Sequence, residues 1–265
     1  MPGAGFSLTK WYLDCVDGDG RTAIVYWSAL SWRGVSVTWH SLALYEDGRE
    51  PFVRTSLEQV AAPQVGTADI EWTAPAIGAH LTCQPLCLPI DAVLLPPAES
   101  GVHWRCGAAA GDTVVECGEH NVVAGRGYAE CLTLTLAPWH LPIRELYWGR
   151  WIDDTSAQSL VWIEWLGPHP LSLAWQDGVP ASAVAVSATG VSCGTSHLAF
   201  SESTRLHSRS LAETLGRLKP VVAPLMPAPW LAIEDAKWRS AGTLQDGRGQ
   251  ATGRGWAIHE KVVFP

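Results

Sequence analysis

A carboxylate stands two residues from a phenol and four from a guanidinium in Arg126-Gly127-Tyr128-Ala129-Glu130. In an extended strand the period of two puts Arg126, Tyr128, Glu130 and Leu132 on one face and Gly127, Ala129 and Cys131 on the other. If the first face lines a barrel interior, burial favours the neutral carboxylic acid. Glu130 could then deliver a proton near neutral pH, with Tyr128 and Arg126 positioning it. Protonating an unactivated alkene leaves a tertiary carbocation, which indole and phenol faces stabilise by about 0.5–2 kcal/mol each. Fifteen Trp against four Phe and five Tyr supply such faces in surplus. The competing reading pairs Arg126 with Glu130 on an exposed wall, at small benefit, with the small residues turned inward.

Two further acids are candidates. Asp14 shares a face with Tyr12 in Trp11-Tyr12-Leu13-Asp14 and joins Glu130 and Tyr128 in the expected catalytic set; the alternative makes it a buried anchor for the following turn. Glu164 lies between Trp162 and Leu166 on one face of a very apolar run. With Arg126, Trp27, Trp39, Trp148 and Trp162 it forms the expected substrate-binding set, although indoles also close barrel floors and hydrogen-bond chain ends. Asp153 and Asp154 fall at a hairpin tip, where turn chemistry is the stronger explanation. His40, His140 and His259 are isolated and read as satisfied structural histidines, with His259 and Glu260 able to orient one another.

Short apolar or alternating runs separated by Gly, Asp and Pro must position these groups, which points to antiparallel β structure. Residues 11–16 and 21–30 form a hairpin about Asp17-Gly18-Asp19-Gly20, and 34–45 a third strand with Val35, Val37 and Trp39 opposite Ser36, Thr38 and His40. Further strands are expected at 68–73, 78–84, 101–107, 112–118 and 125–136. The second half restarts with Leu146-Tyr147-Trp148-Gly149-Arg150-Trp151-Ile152, a polar turn, and Ser159–Trp165. Gly253-Arg254-Gly255-Trp256-Ala257 then repeats Gly125-Arg126-Gly127-Tyr128-Ala129 at four of five places. Two tandem modules follow, 1–137 and 138–265, each an up-and-down antiparallel barrel able to hold one small apolar ligand. One helix is expected at 211–218, capped by Ser210 and Glu213 with Leu211, Leu215 and Leu218 on one face, plugging a barrel end. A shorter one is allowed over Thr55–Glu58.

Trp11–Arg21, the Gly125–Glu130 strand, and Leu146–Ile152 followed by Ser159–Trp165 resemble the two-domain, lipocalin-like group that includes bacterial carotenoid 1,2-hydratases and the AttH-type calycins. The resemblance implies an all-β fold of two abutting lipocalin-like barrels. It also implies water addition across an isoprenoid double bond without a cofactor, and Asp14 matches the family pattern. After Tyr128 the sequence departs from that pattern: Ala129-Glu130-Cys131-Leu132 replaces an Asp and a polar run.

Composition narrows the classes. A net charge of -8 with no Lys/Arg run excludes phosphate backbones as partners. No stretch approaches eighteen uninterrupted apolar residues and no secretory leader is evident, so a cytoplasmic, non-spanning protein is expected. Seven scattered Cys read as buried thiols; His80, Cys83 and Cys87 are a weak metal reading against a proline-stiffened loop, and no metal is expected. No nucleophile elbow, zinc helix or phosphate loop is present. The function expected is cofactor-free, acid-promoted hydration or cyclisation of a C=C bond in a hydrophobic, isoprenoid-like molecule. The alternatives are a non-catalytic carrier of an apolar ligand and a scaffold with filled interiors.

Overall fold

A computed structural model of the chain describes residues 5–95, 101–118, 121–182, 184–216 and 219–265. It divides into two units, Met1–Pro138 and Trp139–Pro265. Each is one rolled antiparallel sheet, as the alternating runs imply, and together they match the two-domain lipocalin-like fold that the resemblance implies.

In the first unit, strands β1 (Ser7–Val16), β2 (Thr22–Trp32), β3 (Val35–Tyr45) and β4 (Phe52–Ser56) form a meander. It continues through β5 (Gln64–Val65), β6 (Ile70–Ala74), β7 (Ala79–Pro85), β8 (Ile90–Leu95), β9 (Val102–Cys117) and β10 (Val122–Leu134). The ladder runs β4-β3-β2-β1-β10-β9-β7-β6-β5, with β8 paired to β9 beside it. The last strand thus lies against the first, while β4 and β5 remain edges. Arg54 of β4 reaches the carbonyl of Ile77, beyond β6, at 3.5 Å. The expected strands at 101–107 and 112–118 are one, because β9 bridges β8 with one half and β7 with the other. The short helix allowed over Thr55–Glu58 does not form; its start belongs to β4.

The second unit repeats this order with β11 (Glu145–Asp153), β12 (Ser159–Leu166), β13 (Leu171–Gln176), β14 (Val179–Ala181) and β15 (Ala185–Ser187). Strands β16 (Gly190–Cys193), β17 (Ser196–Ser210), β18 (Glu234–Gln245) and β19 (Ala251–Val263) complete the ladder β14-β13-β12-β11-β19-β18-β17-β16-β15. Helix α1 (Leu211–Leu215) carries the expected capping box, Ser210 and Glu213 bonding reciprocally. It buries none of its residues, so it does not fill a barrel end as a plug would, and Leu218 lies outside the described residues.

Both repeats of Gly-Arg-Gly sit where the last strand crosses the first. A Cβ on Gly125 would stand 2.2 Å from the Val16 carbonyl oxygen, and one on Gly127 2.3 Å from that of Asp14. In the second unit a Cβ on Gly255 would stand 1.9 Å from the Ile152 oxygen. Only glycine permits so close a backbone approach. The turn after β1 behaves as its sequence predicts: Gly20 has φ +83° and Asp17 Oδ1 accepts from the amides of Asp19 and Arg21.

Each roll encloses its own core. In the first, Ala23, Ala79, Ala108 and Ala129 leave space for Trp11, Trp27 and Trp72. The indoles of Trp27 and Trp72 donate to the carbonyls of Val60 and Ala61, both at 3.0 Å, tying the segment after β4 to the core. In the second, Trp151 and Trp162 lie among Leu160, Leu198, Leu244 and Ala257, and Trp151 donates to the Gly242 carbonyl at 3.2 Å. Burying a ring of this size contributes several kcal/mol. Much of the tryptophan surplus is therefore architectural. Among the described residues no helix is long and apolar enough to cross a membrane.

Candidate active site

Strand β10 alternates as its sequence predicts, but the inward face is the other one. Val123 and Ala129 belong to the core and Cys131 packs against it, whereas Tyr128 and Glu130 lie on the opposite face of the sheet. The expected placement of Glu130 in the barrel lumen is corrected accordingly: the lumen takes tryptophans, which need small residues opposite them.

The outer face is nevertheless closed to bulk water at this point. Tyr128 and Asp14 are fully buried, Tyr12 and Trp104 are 2% exposed, and Glu130 is half-buried. Register brings them together: Tyr12 stands opposite Glu130 and Asp14 opposite Tyr128 across the β1–β10 pair. Leu132 stands opposite Trp104, and Glu130 opposite Cys106, across β10–β9. Tyr128 OH donates to Glu130 Oε2 at 2.7 Å and Trp104 Nε1 donates to the same oxygen at 2.5 Å. Tyr12 OH donates to Asp14 Oδ2 at 2.8 Å. The Tyr12 ring lies edge-on to Tyr26 at 5.2 Å and 6.1 Å from Tyr128.

Burial first, then the nearby Cys106 and Glu130, hold the Tyr128 phenol well above its usual pKa, so it remains a donor. Burial does the same to the Cys106 thiol, with Glu130 adding to it. The face therefore carries two carboxyl groups, each held by a tyrosine, within a shell of rings. Such a cluster has the donors and acceptors to hold and exchange a proton.

Arg126 is not part of it. Its guanidinium pairs with Asp112 on β9, so neither the expected positioning role nor the competing pairing with Glu130 forms. Asp17 anchors the turn after β1, and Asp14 accepts from Tyr12. Trp27 and Trp162 are core residues, Trp39 is half-buried beside Tyr26 at 6.2 Å, and Trp148 lies in the second unit beneath Lys237 Nζ, 4.8 Å from its ring centre. Glu164 is half-buried and accepts from Ser172 at 3.2 Å. These expected substrate-binding residues do not converge within either unit, apart from Trp148 and Trp162, which line one cavity of the second.

Asp153 is turn chemistry, as expected. Burial opposes its charge, but bonds from the Thr155 hydroxyl and amide, from Ser156 and from the Arg254 amide hold its pKa below the usual value. His40 departs from expectation: it is buried facing the core with neither ring nitrogen hydrogen-bonded. His259 and Glu260 do not orient one another; the first bonds Ser240 and the second Lys237. Sequence reasoning missed Trp104, Tyr26 and Cys106. Alternation in His103-Trp104-Arg105-Cys106 places Trp104 and Cys106 on one face, but only the β9–β10 register puts them beside Glu130.

The fold defined by these two sheets is lipocalin-like. No family model matches the chain and no curated protein matches its sequence. Solved structures do match its fold. CghA superposes with a TM-score of 0.59 at 11% identity, over 98% of this chain and 88% of that one. A putative AttH from Nitrosomonas europaea gives 0.52 at 11% identity, over 98% and 94%. Kievitone hydratase from Nectria haematococca gives 0.51 at 9%, over 98% and 89%. At these identities the likeness is one of fold.

Proposed function

We propose that the protein is an enzyme that adds and removes a proton on a hydrophobic, isoprenoid-like small molecule, hydrating or cyclising a C=C bond without a cofactor. The observation that carries this reading is the Glu130 carboxyl, held by Tyr128 and Trp104 on a buried, ring-lined face of the first unit. Glu130 gives its proton to one alkene carbon, whose π pair forms the new C–H bond. The tertiary cation left on the neighbouring carbon is captured by water, or by a second double bond, and the surplus proton returns to the Glu130 carboxylate. Tyr128 orients the carboxyl through its phenol, and Tyr12, Tyr26 and Trp104 offer ring density near the developing charge. The hydratase name of one fold neighbour and the resemblance to carotenoid 1,2-hydratases support this reaction class and the alkene substrate. A soluble cytoplasmic setting belongs to the same proposal.

The test offers purified protein a panel of carotenoid and shorter isoprenoid alkenes in oxygen-18 water, following label incorporation and alkene loss. Glu130→Gln should abolish turnover while leaving ligand affinity within a few-fold, and Tyr128→Phe should lower kcat about 10- to 100-fold. Undiminished turnover in Glu130→Gln removes the acid role. Ligand binding without turnover in the unsubstituted protein makes it a carrier.

A further inference from the structure

We propose that the interior of the second unit is a binding site for a flat, uncharged, conjugated molecule bearing one hydroxyl group, which stacks among Trp162, Phe200 and Trp238 and hydrogen-bonds to the Ser203–His259 edge. The site is independent of Glu130 and of the reaction proposed for it.

A cavity of about 380 Å³ opens inside this roll, lined by Trp162, Phe200, Ser203, Trp238 and His259 together with Val186 and the rim residues Tyr147 and Lys261. That volume falls within the range of small-molecule pockets, roughly 300–1,000 Å³. Its walls are flat. The His259 ring stacks on Phe200 with centres 4.5 Å apart and planes 9° apart, and on Trp238 at 5.5 Å and 16°. Phe200 in turn lies 6.0 Å from Trp162. A planar ligand continues this stack, whereas a branched one would not.

The polar side of the cavity is a short chain. His259 Nε2 meets Ser240 Oγ at 2.9 Å and Ser240 Oγ meets Ser203 Oγ at 2.6 Å. His259 Nδ1 has no hydrogen-bond partner among the described residues. With the ring planes stacked, its edge is what remains for a polar group. Burial, and then the Lys237 charge, lower the His259 pKa to about 4, so the imidazole is neutral at neutral pH. A hydroxyl both donates and accepts, and so suits either tautomer of that ring.

Nearby charges are already matched. Lys261 pairs with Glu145 at 3.0 Å, and Glu260 pairs with Lys237. An ionic ligand would find no free counter-charge among these groups.

Equilibrium dialysis of the full chain with 2-naphthol and with naphthalene tests the site. The expected result is saturable one-site binding of 2-naphthol about tenfold tighter than naphthalene. His259→Phe keeps the stack and should erase that preference. Ser203→Ala removes a single oxygen and should weaken 2-naphthol several-fold. Val186→Trp, filling the cavity from β15, should abolish both ligands with an unchanged circular dichroism spectrum. Glu130→Gln should leave all of this binding intact, which separates the cavity from the proposed reaction. Absence of saturable binding, or a 2-naphthol preference that survives in both His259→Phe and Ser203→Ala, overturns the proposal.

Discussion

The two units use one ladder order and one glycine crossing to hold opposite chemistry. Matched through Gly127 and Gly255, the rung Tyr12–Glu130–Cys106 of the first unit corresponds to Arg150–Ile258–Arg239 of the second. The next rung, Lys10–Leu132–Trp104, corresponds to Trp148–Glu260–Lys237. The first outer face thus carries one buried and one half-buried acid, Asp14 and Glu130, each held by a tyrosine. The second carries three buried cations: Arg150 donates to the Trp256 carbonyl at 2.6 Å, Arg239 lies 5.0 Å from the Trp256 ring centre, and Lys237 pairs with Glu260. Inside, Trp11, Trp27 and Trp72 pack the first roll beside a cavity of about 530 Å³ edged by Thr9, Ala29, Ser31 and Thr38, while the cavity of the second is walled by rings. A duplicated frame fixes where side chains project. What they are remains open to change, because the frame depends on glycines and core apolars rather than on the rungs.

The largest effect should come from breaking the crossing that both units share. Gly255→Ala places a Cβ 1.9 Å from the Ile152 oxygen, and Gly127→Ala places one 2.3 Å from the Asp14 oxygen. Since neither obstacle is the end of a flexible side chain, a backbone must shift. Each variant should lose about 3 kcal/mol or more in urea unfolding. A loss under about 0.5 kcal/mol at either position would show that this unit does not need its glycine, and the shared-frame argument would fail there.

A second effect separates the buried charges from the exposed ones. Lys237 is 1% exposed, so Lys237→Met leaves the partly buried Glu260 unpaired and should cost about 2–3 kcal/mol. Adding Glu260→Leu should recover most of that loss. The first unit's Arg126–Asp112 pair is solvent-exposed at its aspartate, and Arg126→Gln should cost at most about 1 kcal/mol. Equal costs for Lys237→Met and Arg126→Gln in thermal or urea unfolding would erase this distinction between the faces.

How far the sequence reveals all this depends on the range of the interaction concerned. The Asp17–Gly20 turn, the Ser210–Glu213 capping box, the opening hairpins of both halves and the Gly-Arg-Gly repeat were legible because each is decided within a few residues. The period-two reading of β10 was also sound, and it grouped Tyr128 with Glu130. The direction of that face was not legible. Bulk suggests that Tyr128 and Glu130 fill the lumen, yet Trp11, Trp27 and Trp72 arrive from β1, β2 and β6 and need Ala129 and Ala108 as neighbours. Trp104, the second donor to Glu130, is 26 residues away and meets it only through strand register. Both readings of Arg126, positioning Glu130 or pairing with it, look along the strand, but Asp112 lies directly across.

The smallest effect concerns two histidines, one in each interior. His40 lies in the first core with its ring 5.8 Å from Trp72 and no hydrogen bond at either nitrogen; burial lowers its pKa against the opposing pull of Glu58. His259 lies in the second, stacked and bonded to Ser240, with a pKa of about 4. Both are neutral in the folded protein, while an unfolded histidine takes a proton near pH 6.5. Their contribution to stability is therefore greatest above pH 6.5 and declines as pH falls, for His259 until about pH 4, where the folded form protonates too. Replacing either ring should flatten the acid limb of a stability–pH curve. At neutral pH the two should part. His40→Leu removes two unsatisfied buried nitrogens at little loss of apolar contact and should raise stability by about 1 kcal/mol. His259→Phe gives up the bond to Ser240 and should lower stability by a similar amount. Chemical denaturation of both variants at pH 5 and pH 8 decides the matter. A His40→Leu protein that is destabilised at pH 8 would mean that the His40 nitrogens are not the cost to the first interior that their lack of partners implies.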